Sequence, residues 1–279
     1  MVTRRDWLAA ATARLTAAGC EDAAFDARCL LEDLGGLPRG TVADDTPLTD
    51  PQQTILDNAL TQRAAGRPLQ YIVGEWDFLA LTLKVGEGVL IPRPDTELLC
   101  EAAAERLHPI PAPRILDLCA GSGCVGLGVA SLCPDAAVTA VEVSDAALGY
   151  LRQNVARYPS YAVTVRQADV LTDFAAFEGG YDAILSNPPY IPTADLPTLQ
   201  REVQHEPKIA LDGAADGLRF YRAIAEHWCG KLNQNGFCAV EVGIEQAADV
   251  AALFAAAGLA NTEILRDLGG VERVVIARK

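Results

Sequence analysis

The sequence is poor in positive charge. Its 23 Lys and Arg residues stand against 37 Asp and Glu residues, which gives a formal net charge of -14 at pH 7. Proteins whose main partner is a nucleic-acid backbone depend on clustered Lys and Arg, so this balance argues against that class without excluding a local basic patch. Because 50% of the 279 residues are hydrophobic, the chain can bury a sizeable core, and global disorder is not expected.

Histidine is scarce, and the cysteines are not spaced for metal binding. The chain has three His and eight Cys residues, with no C-x-x-C pair among them. We therefore expect no zinc site and no metal cofactor. Most of the cysteines lie in apolar runs, which is typical of small core residues, and free thiols fit a reducing cytoplasm.

Long apolar runs and a complete export signal are also lacking. No stretch of about 18 apolar residues is present, so we expect no membrane-spanning helix. Arg4-Arg5 looks faintly like the start of a twin-arginine signal, but the Ala-rich segment that follows is broken by Arg14 and lacks an apolar core and a cleavage site. An amphipathic helix is the better interpretation, and the expected location is the cytoplasm.

The predicted elements divide the chain into three parts. Residues 1–73 are predicted to be a helical domain, residues 74–92 a β-hairpin linker, and residues 93–279 a larger domain with catalytic potential. In the first part, Asp50-Pro51 is predicted to start a helix, with Asp as the N-cap and Pro at the first helical position. Helices as short as these are marginal alone, so we expect them to pack as a small bundle.

Strands and helices alternate in the third part. Strands are predicted at 114–118, 137–141, 162–167, 181–185 and 236–242, and helices at 96–107, 123–132, 144–157, 216–231 and 244–258, with Asp95 as the N-cap of the first helix. This alternation indicates a parallel sheet covered on both faces. Two last strands, 261–266 and 272–277, are predicted to form an antiparallel hairpin at the sheet edge. The predicted fold class is α/β.

A glycine-rich turn follows the first strand of this domain. Its residues are Asp117-Leu118-Cys119-Ala120-Gly121-Ser122-Gly123, and Glu142 lies at the end of the next strand. The glycines let the backbone approach a ligand closely at a helix N-terminus. The pattern also fits a dinucleotide site, with the Glu on the ribose diol. A βα turn without a ligand is the plain alternative.

Acidic residues at three successive strand ends favour S-adenosylmethionine over NAD. Asp117 would repel a pyrophosphate, whereas it could receive the ammonium of a methionine moiety directly or through water. Asp169, after the third strand, could accept the adenine amino group, although a turn-forming role is the alternative for this residue. Three carboxylates of this kind suit a cationic cofactor that carries adenosine.

The tetrapeptide Asn187-Pro188-Pro189-Tyr190 ends the strand at 181–185. Two prolines stop the strand and present the Asn side chain and the aromatic ring at its carboxyl end. The Asn187 oxygen and the Pro188 carbonyl can each accept one N–H of a planar amide or amine, which holds that nitrogen in line with a methyl donor, and Tyr190 can stack on the planar group. A loop with a satisfied Asn is the alternative.

These motifs resemble the class I methyltransferases that modify planar nitrogens. Further segments narrow the resemblance, over nearly the whole chain, to the bacterial release factor glutamine methyltransferases (the HemK/PrmC family): Arg67–Ile72, Gly74–Phe78, Ile91–Glu97, Asn187–Ile191, Glu206-Pro207, Ala210-Leu211 and Asp216–Leu218. The resemblance implies a Rossmann-like seven-stranded sheet and methylation of N5 of the glutamine in the Gly-Gly-Gln motif of peptide chain release factors. It implies S-adenosyl-L-methionine as donor and S-adenosyl-L-homocysteine as product.

The resemblance also implies roles for parts of the chain. The helical domain would contact the release factor, and Arg93, Pro94 and Thr96 would line or close the pocket near the cofactor. The predicted cofactor-binding residues are Asp117, Cys119, Ala120, Gly121, Gly123, Glu142, Asp169, Asn187 and Thr96; the predicted catalytic residues are Asn187, Pro188, Pro189 and Tyr190.

Two other functions stay open at the level of sequence. A nucleic-acid methyltransferase acting on adenine N6 or guanine N2 would use the same tetrapeptide, since its acceptor is again a planar nitrogen beside an aromatic ring. The acidic balance and the lack of a basic or aromatic target-recognition segment count against it. A cofactor-binding scaffold without turnover is the second alternative, which an intact Asn187 and Tyr190 disfavour.

Overall fold

The computed structural model describes residues 1–40 and 42–279. Two compact units make up these residues: the first consists of 1–75 with 200–205, and the second of 76–199 with 206–279. Of the β-hairpin predicted as a linker over 74–92, residues 76–92 therefore fall within the second unit. The functional division into recognition domain, linker and catalytic domain stays a prediction.

The first unit is helical. Its helices are α1 (Arg4–Ala17), α2 (Ala23–Cys29, continued by a π-helical turn Leu30–Leu34), α3 (Asp50–Ala64) and the short α4 (Leu69–Val73), with a 3-10 turn at Val203–His205. Trp7, Leu15, Leu30 and Leu56 are buried between the helices. The prediction that Asp50 caps α3 is wrong. The cap is Thr49, whose hydroxyl accepts from the Gln52 N–H in a capping box.

A buried ion pair holds this unit together. Arg63 on α3 donates from Nε to Asp26 on α2 at 2.7 Å, and both side chains are 8% exposed. The same guanidinium donates to Glu202 at 2.8 Å. Burial raises the pKa of Asp26, and the bond and charge of Arg63 oppose that rise. Such a pair is costly to break because the remaining charge would be buried without a partner.

The second unit is an α/β domain with two sheets. Strands β1 (Glu75–Phe78) and β2 (Leu81–Lys84) form the predicted hairpin. The seven-stranded sheet has the order β5-β4-β3-β6-β7-β9-β8 in the described residues, with β9 antiparallel to both neighbours. Its strands are β3 (Arg114–Leu118), β4 (Ala137–Glu142), β5 (Ala162–Gln167), β6 (Tyr181–Ser186), β7 (Leu232–Glu241), β8 (Ala260–Arg266) and β9 (Glu272–Arg278). The α/β fold and its edge hairpin are confirmed.

Helices cover both faces of this sheet. They are α5 (Glu97–Leu107), α6 (Cys124–Leu132), α7 (Asp145–Arg157), α8 (Arg219–Ala223) and α9 (Ala247–Ala256). The alternation of side chains along a strand divides the core. Leu116, Ile184 and Val240 belong to the cluster on one face, and Ile115, Leu185 and Ala239 to the cluster on the other. The central strands are therefore buried on both sides, as a parallel sheet requires.

Several helix starts differ from their predictions, and the helix predicted at 244–258 begins only at Ala247. Asp95 is not an N-cap: it lies inside a 3-10 turn, Pro94–Thr96, and α5 begins after it. The helix predicted at 216–231 begins only at Arg219 and then passes into π-helical and 3-10 turns. Gly217 has φ +74° and lies against the Tyr190 carbonyl, so packing against the tetrapeptide delays this helix.

Candidate active site

The glycine-rich turn and the tetrapeptide lie side by side at one edge of the sheet. Strands β3 and β6 are parallel neighbours, with Asp117 opposite Leu185 and Leu118 opposite Ser186. Each chain leaves the sheet one residue later, so Cys119 and Asn187 start the two loops at the same level. Carboxyl ends of parallel strands are where such sheets bind ligands.

Left-handed backbone shapes the glycine-rich turn. Cys119, Gly121 and Gly123 have φ of 60°, 56° and 85°. A Cβ at Gly123 would lie 2.5 Å from Leu151, so only glycine fits the packing there, whereas a Cβ at Gly121 would meet no atom within 4 Å. The space in front of Gly121 is therefore open, and a side chain at that position would occupy it.

Asp117 supports this turn from beneath. It is fully buried, and its Oδ2 accepts from the Gly126 N–H at 2.9 Å. Its Oδ1 has no hydrogen-bond partner among the residues that the structure describes. Burial raises the pKa of Asp117 to about 7; the Gly126 bond opposes the rise and the charge of Glu142 adds to it. A cationic group or a water beside Oδ1 would favour the charged carboxylate.

Glu142 at the end of β4 faces the cavity with its carboxylate. Oε2 accepts from the Gly121 N–H at 2.8 Å, and Oε1 accepts from the N–H groups of Val143 at 2.9 Å and Ser144 at 2.8 Å. The side chain thereby ties the β4 end to the glycine-rich turn. One of its roughly four lone-pair sites, on Oε2, is left for a ligand hydroxyl.

Asp169 follows β5 and has a turn-forming bond of its own. Its Oδ1 accepts from the Leu171 N–H at 2.8 Å, and its own N–H donates to Asp173 at 2.8 Å. Asp169 also lines the cavity. The two interpretations of this residue are therefore compatible, because a carboxylate that forms a turn with one oxygen still offers the other.

A cavity of about 330 Å³ lies over these strand ends. That volume is in the range of pockets for small molecules and cofactors. Most of the predicted site residues line it: Thr96, Cys119, Ala120, Gly121, Glu142, Asp169, Asn187 and Pro189. Of the others, Asp117, Gly123, Pro188 and Tyr190 are not among the described residues that form its wall.

Two cysteines in the cavity wall are neutral thiols. Burial raises the pKa of Cys119 far above its ordinary value and that of Cys124 to about 12. Nearby carboxylates reinforce both shifts, with Glu142 acting on the first and Asp117 on the second. Since the thiolate is the nucleophilic form, neither cysteine is suited to covalent catalysis.

Asn187 is held by a buried hydrogen-bond chain. Its Nδ2 donates to Thr96 Oγ1 at 3.1 Å, and that hydroxyl donates to Glu241 Oε2 at 2.5 Å. Thr96 is fully buried and Glu241 is 2% exposed. Tyr190 reaches the other oxygen of Glu241 with its hydroxyl at 3.4 Å. Burial raises the pKa of Glu241 to about 7.

Backbone contacts fix the rest of the tetrapeptide. The Gln246 amide donates to the Tyr190 carbonyl at 2.9 Å and accepts from the Gly243 N–H at 2.9 Å. Gly213 lies against the same peptide unit, where a Cβ would come within 2.9 Å of the Tyr190 carbonyl carbon. The segment after the tetrapeptide therefore packs on it closely.

Comparisons with known proteins agree on one family. The domains described as "PrmC N-terminal domain" and "Methyltransferase small domain" match residues 6–74 and 94–206. A release factor glutamine methyltransferase of Moorella thermoacetica is 39% identical over 99% of this chain and 98% of its own. The one from Geobacter sulfurreducens is 38% identical over 93% and 91%. The chain belongs to the release factor glutamine methyltransferase family.

Solved structures with lower identity share the fold. The hMettl16 catalytic domain, solved in complex with MAT2A 3′UTR hairpin 6, aligns with a TM-score of 0.59 at 14% identity, over 88% of each chain. A methyltransferase from Pyrococcus furiosus aligns with a TM-score of 0.52 at 16% identity, over 83% of this chain and 99% of its own. At these identities the likeness shows the fold alone, which is that of a methyltransferase.

The described part of the chain contains neither a metal-binding cluster nor a helix that could cross a membrane. No group of three or more His, Cys, Asp and Glu side chains is placed to hold a metal ion. No helix among residues 1–40 and 42–279 is long and apolar enough to cross a membrane.

Sequence reasoning missed two residues that contact the tetrapeptide, Glu241 and Gln246. A signal for Glu241 was present, because it interrupts the apolar run Phe237–Val242 near the end of a predicted strand. Glu142 occupies the equivalent last position of β4. Gln246 carried no such signal, since a polar residue just before a helix is ordinary.

Proposed function

We propose that this enzyme transfers a methyl group from S-adenosyl-L-methionine to N5 of the glutamine in the Gly-Gly-Gln motif of peptide chain release factors. One observation carries the proposal: Asn187 lines the cavity at the level of the glycine-rich turn, and its Nδ2 is bonded to Thr96. Its Oδ1 is therefore the atom available to accept an N–H from a planar amide.

The cavity wall fits the proposed donor. The left-handed turn leaves open space in front of Gly121, Glu142 has a free lone pair beside it, and Asp169 lines the same wall. These groups suit the ribose and adenine of an adenosine-bearing cofactor. Asp117 has an unpartnered buried oxygen beneath the turn and would favour the cationic methionine end through water. The remaining proposed contacts are with Cys119, Ala120, Gly123 and Thr96.

Bound S-adenosyl-L-methionine supplies an electrophilic methyl group on a sulfonium sulfur. The residues of this chain position the nucleophile, a glutamine nitrogen whose lone pair is delocalised. Asn187 Oδ1 and the Pro188 carbonyl each accept one of its N–H groups, which fixes its direction and favours the more cationic transition state. No strong base is required, because the proton is released after transfer, and the product is S-adenosyl-L-homocysteine.

The other residues of the tetrapeptide serve this positioning. Pro189 lines the cavity and fixes the loop. Tyr190 follows it directly but is not among the described residues of the cavity wall, so the proposed stacking of its ring on the planar amide rests on the resemblance. The release factor is the proposed partner, recognised by the helical residues 1–73 and placed by the hairpin 74–92 against the catalytic residues 93–279. The proposed setting is the cytoplasm, with no membrane partner.

A labelling experiment tests this function. The protein is incubated with methyl-labelled S-adenosyl-L-methionine and a purified release factor, and in parallel with the same factor carrying Gly-Gly-Asn in place of Gly-Gly-Gln. We expect label on the glutamine in the first reaction and none in the second, read by mass spectrometry of the peptide. A third reaction offers bulk RNA and DNA. Label there but not in the release factor would refute the proposal and favour the nucleic-acid amine methyltransferase.

A further inference from the structure

Three side chains from separate elements form a chain that ends at the proposed catalytic amide. Asn187 follows β6, Thr96 precedes α5, and Glu241 ends β7. The two bonds measure 3.1 Å from Asn187 Nδ2 to Thr96 Oγ1 and 2.5 Å from Thr96 Oγ1 to Glu241 Oε2. Thr96 and Glu241 are buried, which keeps water from competing for these bonds.

The ionised carboxylate sets the direction of this chain. A charged Glu241 can only accept, so the single hydroxyl proton of Thr96 must point to it. Toward Asn187 the Thr96 hydroxyl can then act only as an acceptor. It therefore accepts a hydrogen bond from Asn187 Nδ2. Oδ1 is left on the opposite side, where an acceptor amide needs it.

We propose that Glu241 is a positioning residue, which acts through Thr96 to hold the Asn187 amide with Oδ1 available to the substrate glutamine. This inference rests on the proposed function, since Oδ1 matters only when an N–H must be accepted. Glu241 touches neither reacting atom in this scheme. It contributes by excluding the alternative orientation of the Asn187 amide. In that orientation the Nδ2 group of Asn187 would face the N–H of the substrate glutamine, and both groups are donors.

Protonation of Glu241 would undo this orientation. A neutral carboxyl can donate its own proton to Thr96 Oγ1, and the hydroxyl proton is then free to point at Asn187. The amide would turn its oxygen to Thr96 and its Nδ2 to the substrate. Activity should therefore require the charged form of Glu241.

Several charged and titratable groups act on Glu241 from the elements packed around it. Burial raises its pKa to about 7, while Thr96, Tyr190 through its hydroxyl, and Arg273 on β9 lower it and Asp95 raises it. Tyr221 on α8 donates its hydroxyl to the Glu241 backbone carbonyl at 2.9 Å. Since the charged form is the active one, kcat should rise with pH and reach half of its maximum at about pH 7.

The main test replaces Glu241 by glutamine, which has the same shape but does not force the hydroxyl of Thr96 in one direction. We expect kcat for release factor methylation to fall by about 10- to 100-fold, the range that loss of precise positioning produces. The Kd for S-adenosyl-L-methionine, measured by calorimetry, should stay within about threefold, because Glu241 itself is not among the proposed cofactor contacts and the variant keeps the Thr96 side chain. The matched control is Glu263→Gln on the outer strand β8, which removes an exposed carboxylate and should leave kcat unchanged.

The pH profile distinguishes positioning from simple structural damage. At saturating cofactor, the rise of kcat at about pH 7 should be present in the wild-type enzyme and in Glu263→Gln, and absent in Glu241→Gln. Saturation removes the contribution that Asp117 could make through cofactor binding. If kcat of Glu241→Gln still rises at about pH 7, the rise comes from the titration of another group, and the inference is overturned.

A second pair of variants covers the case in which Glu241→Gln does not fold. Because Thr96 is also a proposed cofactor contact, its variants are compared at saturating S-adenosyl-L-methionine. Thr96→Val keeps the shape of the side chain and removes the hydroxyl, so it should lower kcat as strongly as the glutamine variant. Thr96→Ser restores the hydroxyl and should recover kcat to within a few-fold of wild type. Equal activity of the Val and Ser variants would overturn the inference.

The wild-type reaction separates failure of the inference from failure of the proposed function. If the wild-type enzyme does not methylate the release factor, the function is wrong, and the variants are not needed to show it. If it does, and Glu241→Gln retains kcat within twofold across the pH range, the function stands and the positioning role is wrong.

Discussion

Replacing Glu142 by alanine should weaken cofactor binding by about one to two orders of magnitude. The carboxylate accepts three backbone N–H bonds, two on Oε1 and one on Oε2, so one lone-pair site remains for a ribose hydroxyl. One hydrogen bond to a charged group is worth about 1.5–3 kcal/mol. Since about 1.4 kcal/mol corresponds to tenfold in affinity, the loss should be about 10- to 150-fold.

Calorimetry with two ligands separates this bond from a general charge effect. S-Adenosyl-L-homocysteine lacks the sulfonium charge but keeps the ribose, so its Kd should rise by the same factor as that of S-adenosyl-L-methionine. A loss seen only with the cationic ligand would indicate long-range attraction instead. The control is Asp145→Ala in the first turn of α7, which removes an exposed carboxylate that bonds Gln167.

Stability must be measured alongside affinity. Glu142→Ala also frees the N–H groups of Gly121, Val143 and Ser144, so a lower Tm without ligand is expected. If circular dichroism shows an intact fold and both Kd values stay within twofold of wild type, Glu142 only stabilises the glycine-rich turn. That result would refute the prediction that its remaining lone pair binds a ribose hydroxyl.

Three further predictions concern other residues. Asn187→Ala should lower kcat by about 10²- to 10³-fold, as the loss of one preorganised polar group does, and should leave the cofactor Kd nearly unchanged. A large loss of cofactor affinity in calorimetry would contradict the proposal that Asn187 binds the methyl acceptor. Arg63→Met should lower the free energy of unfolding by about 3–5 kcal/mol in urea titrations at pH 8, because Asp26 is left buried and charged. The additional substitution Asp26→Asn should recover part of this loss, and an unchanged urea midpoint in Arg63→Met would contradict the prediction. The pKa of Asp117 is about 7 in the folded protein and 3.8 ordinarily, so its contribution to stability falls as pH rises from about 4 to 7. The stability of wild type relative to Asp117→Asn should therefore decline over that window, and a flat difference in urea unfolding would show that the folded carboxyl titrates normally.

Alternation of strands and helices carried most of the fold prediction. Strands 114–118 and 162–167 were placed with the observed bounds, because both segments are short, and the second is rich in β-branched residues. Helix starts were less predictable. Thr49 rather than Asp50 caps α3, because Thr49 and Gln52 form reciprocal hydrogen bonds. Both Thr and Asp are good capping residues, so the choice depends on the positions of these groups in the folded chain.

The candidate site was predictable where chemistry and position coincide in the sequence. Gly121 lies in the turn after β3, Glu142 ends β4 and Asn187 follows β6, and parallel strand ends meet at one edge. The burial of Asp117 below the cavity was not predictable, because whether its side chain points into the pocket or under the turn depends on the room that Gly126 leaves. Glu241 was not predictable as a partner of Asn187, since they are joined only through Thr96.

The sequence by itself determined the α/β fold and the family, and it supports the proposal that the tetrapeptide holds a planar nitrogen. These follow from local patterns, which act within one element or one turn. Only the tertiary structure shows which oxygen of which buried carboxylate is bonded to Thr96 beside the Asn187 amide, and that Glu142 has one lone pair left for a ligand. Those properties depend on hydrogen bonds between elements far apart in the chain. The direction of each hydrogen bond in the series Asn187, Thr96 and Glu241 depends on the donors and acceptors of all three side chains.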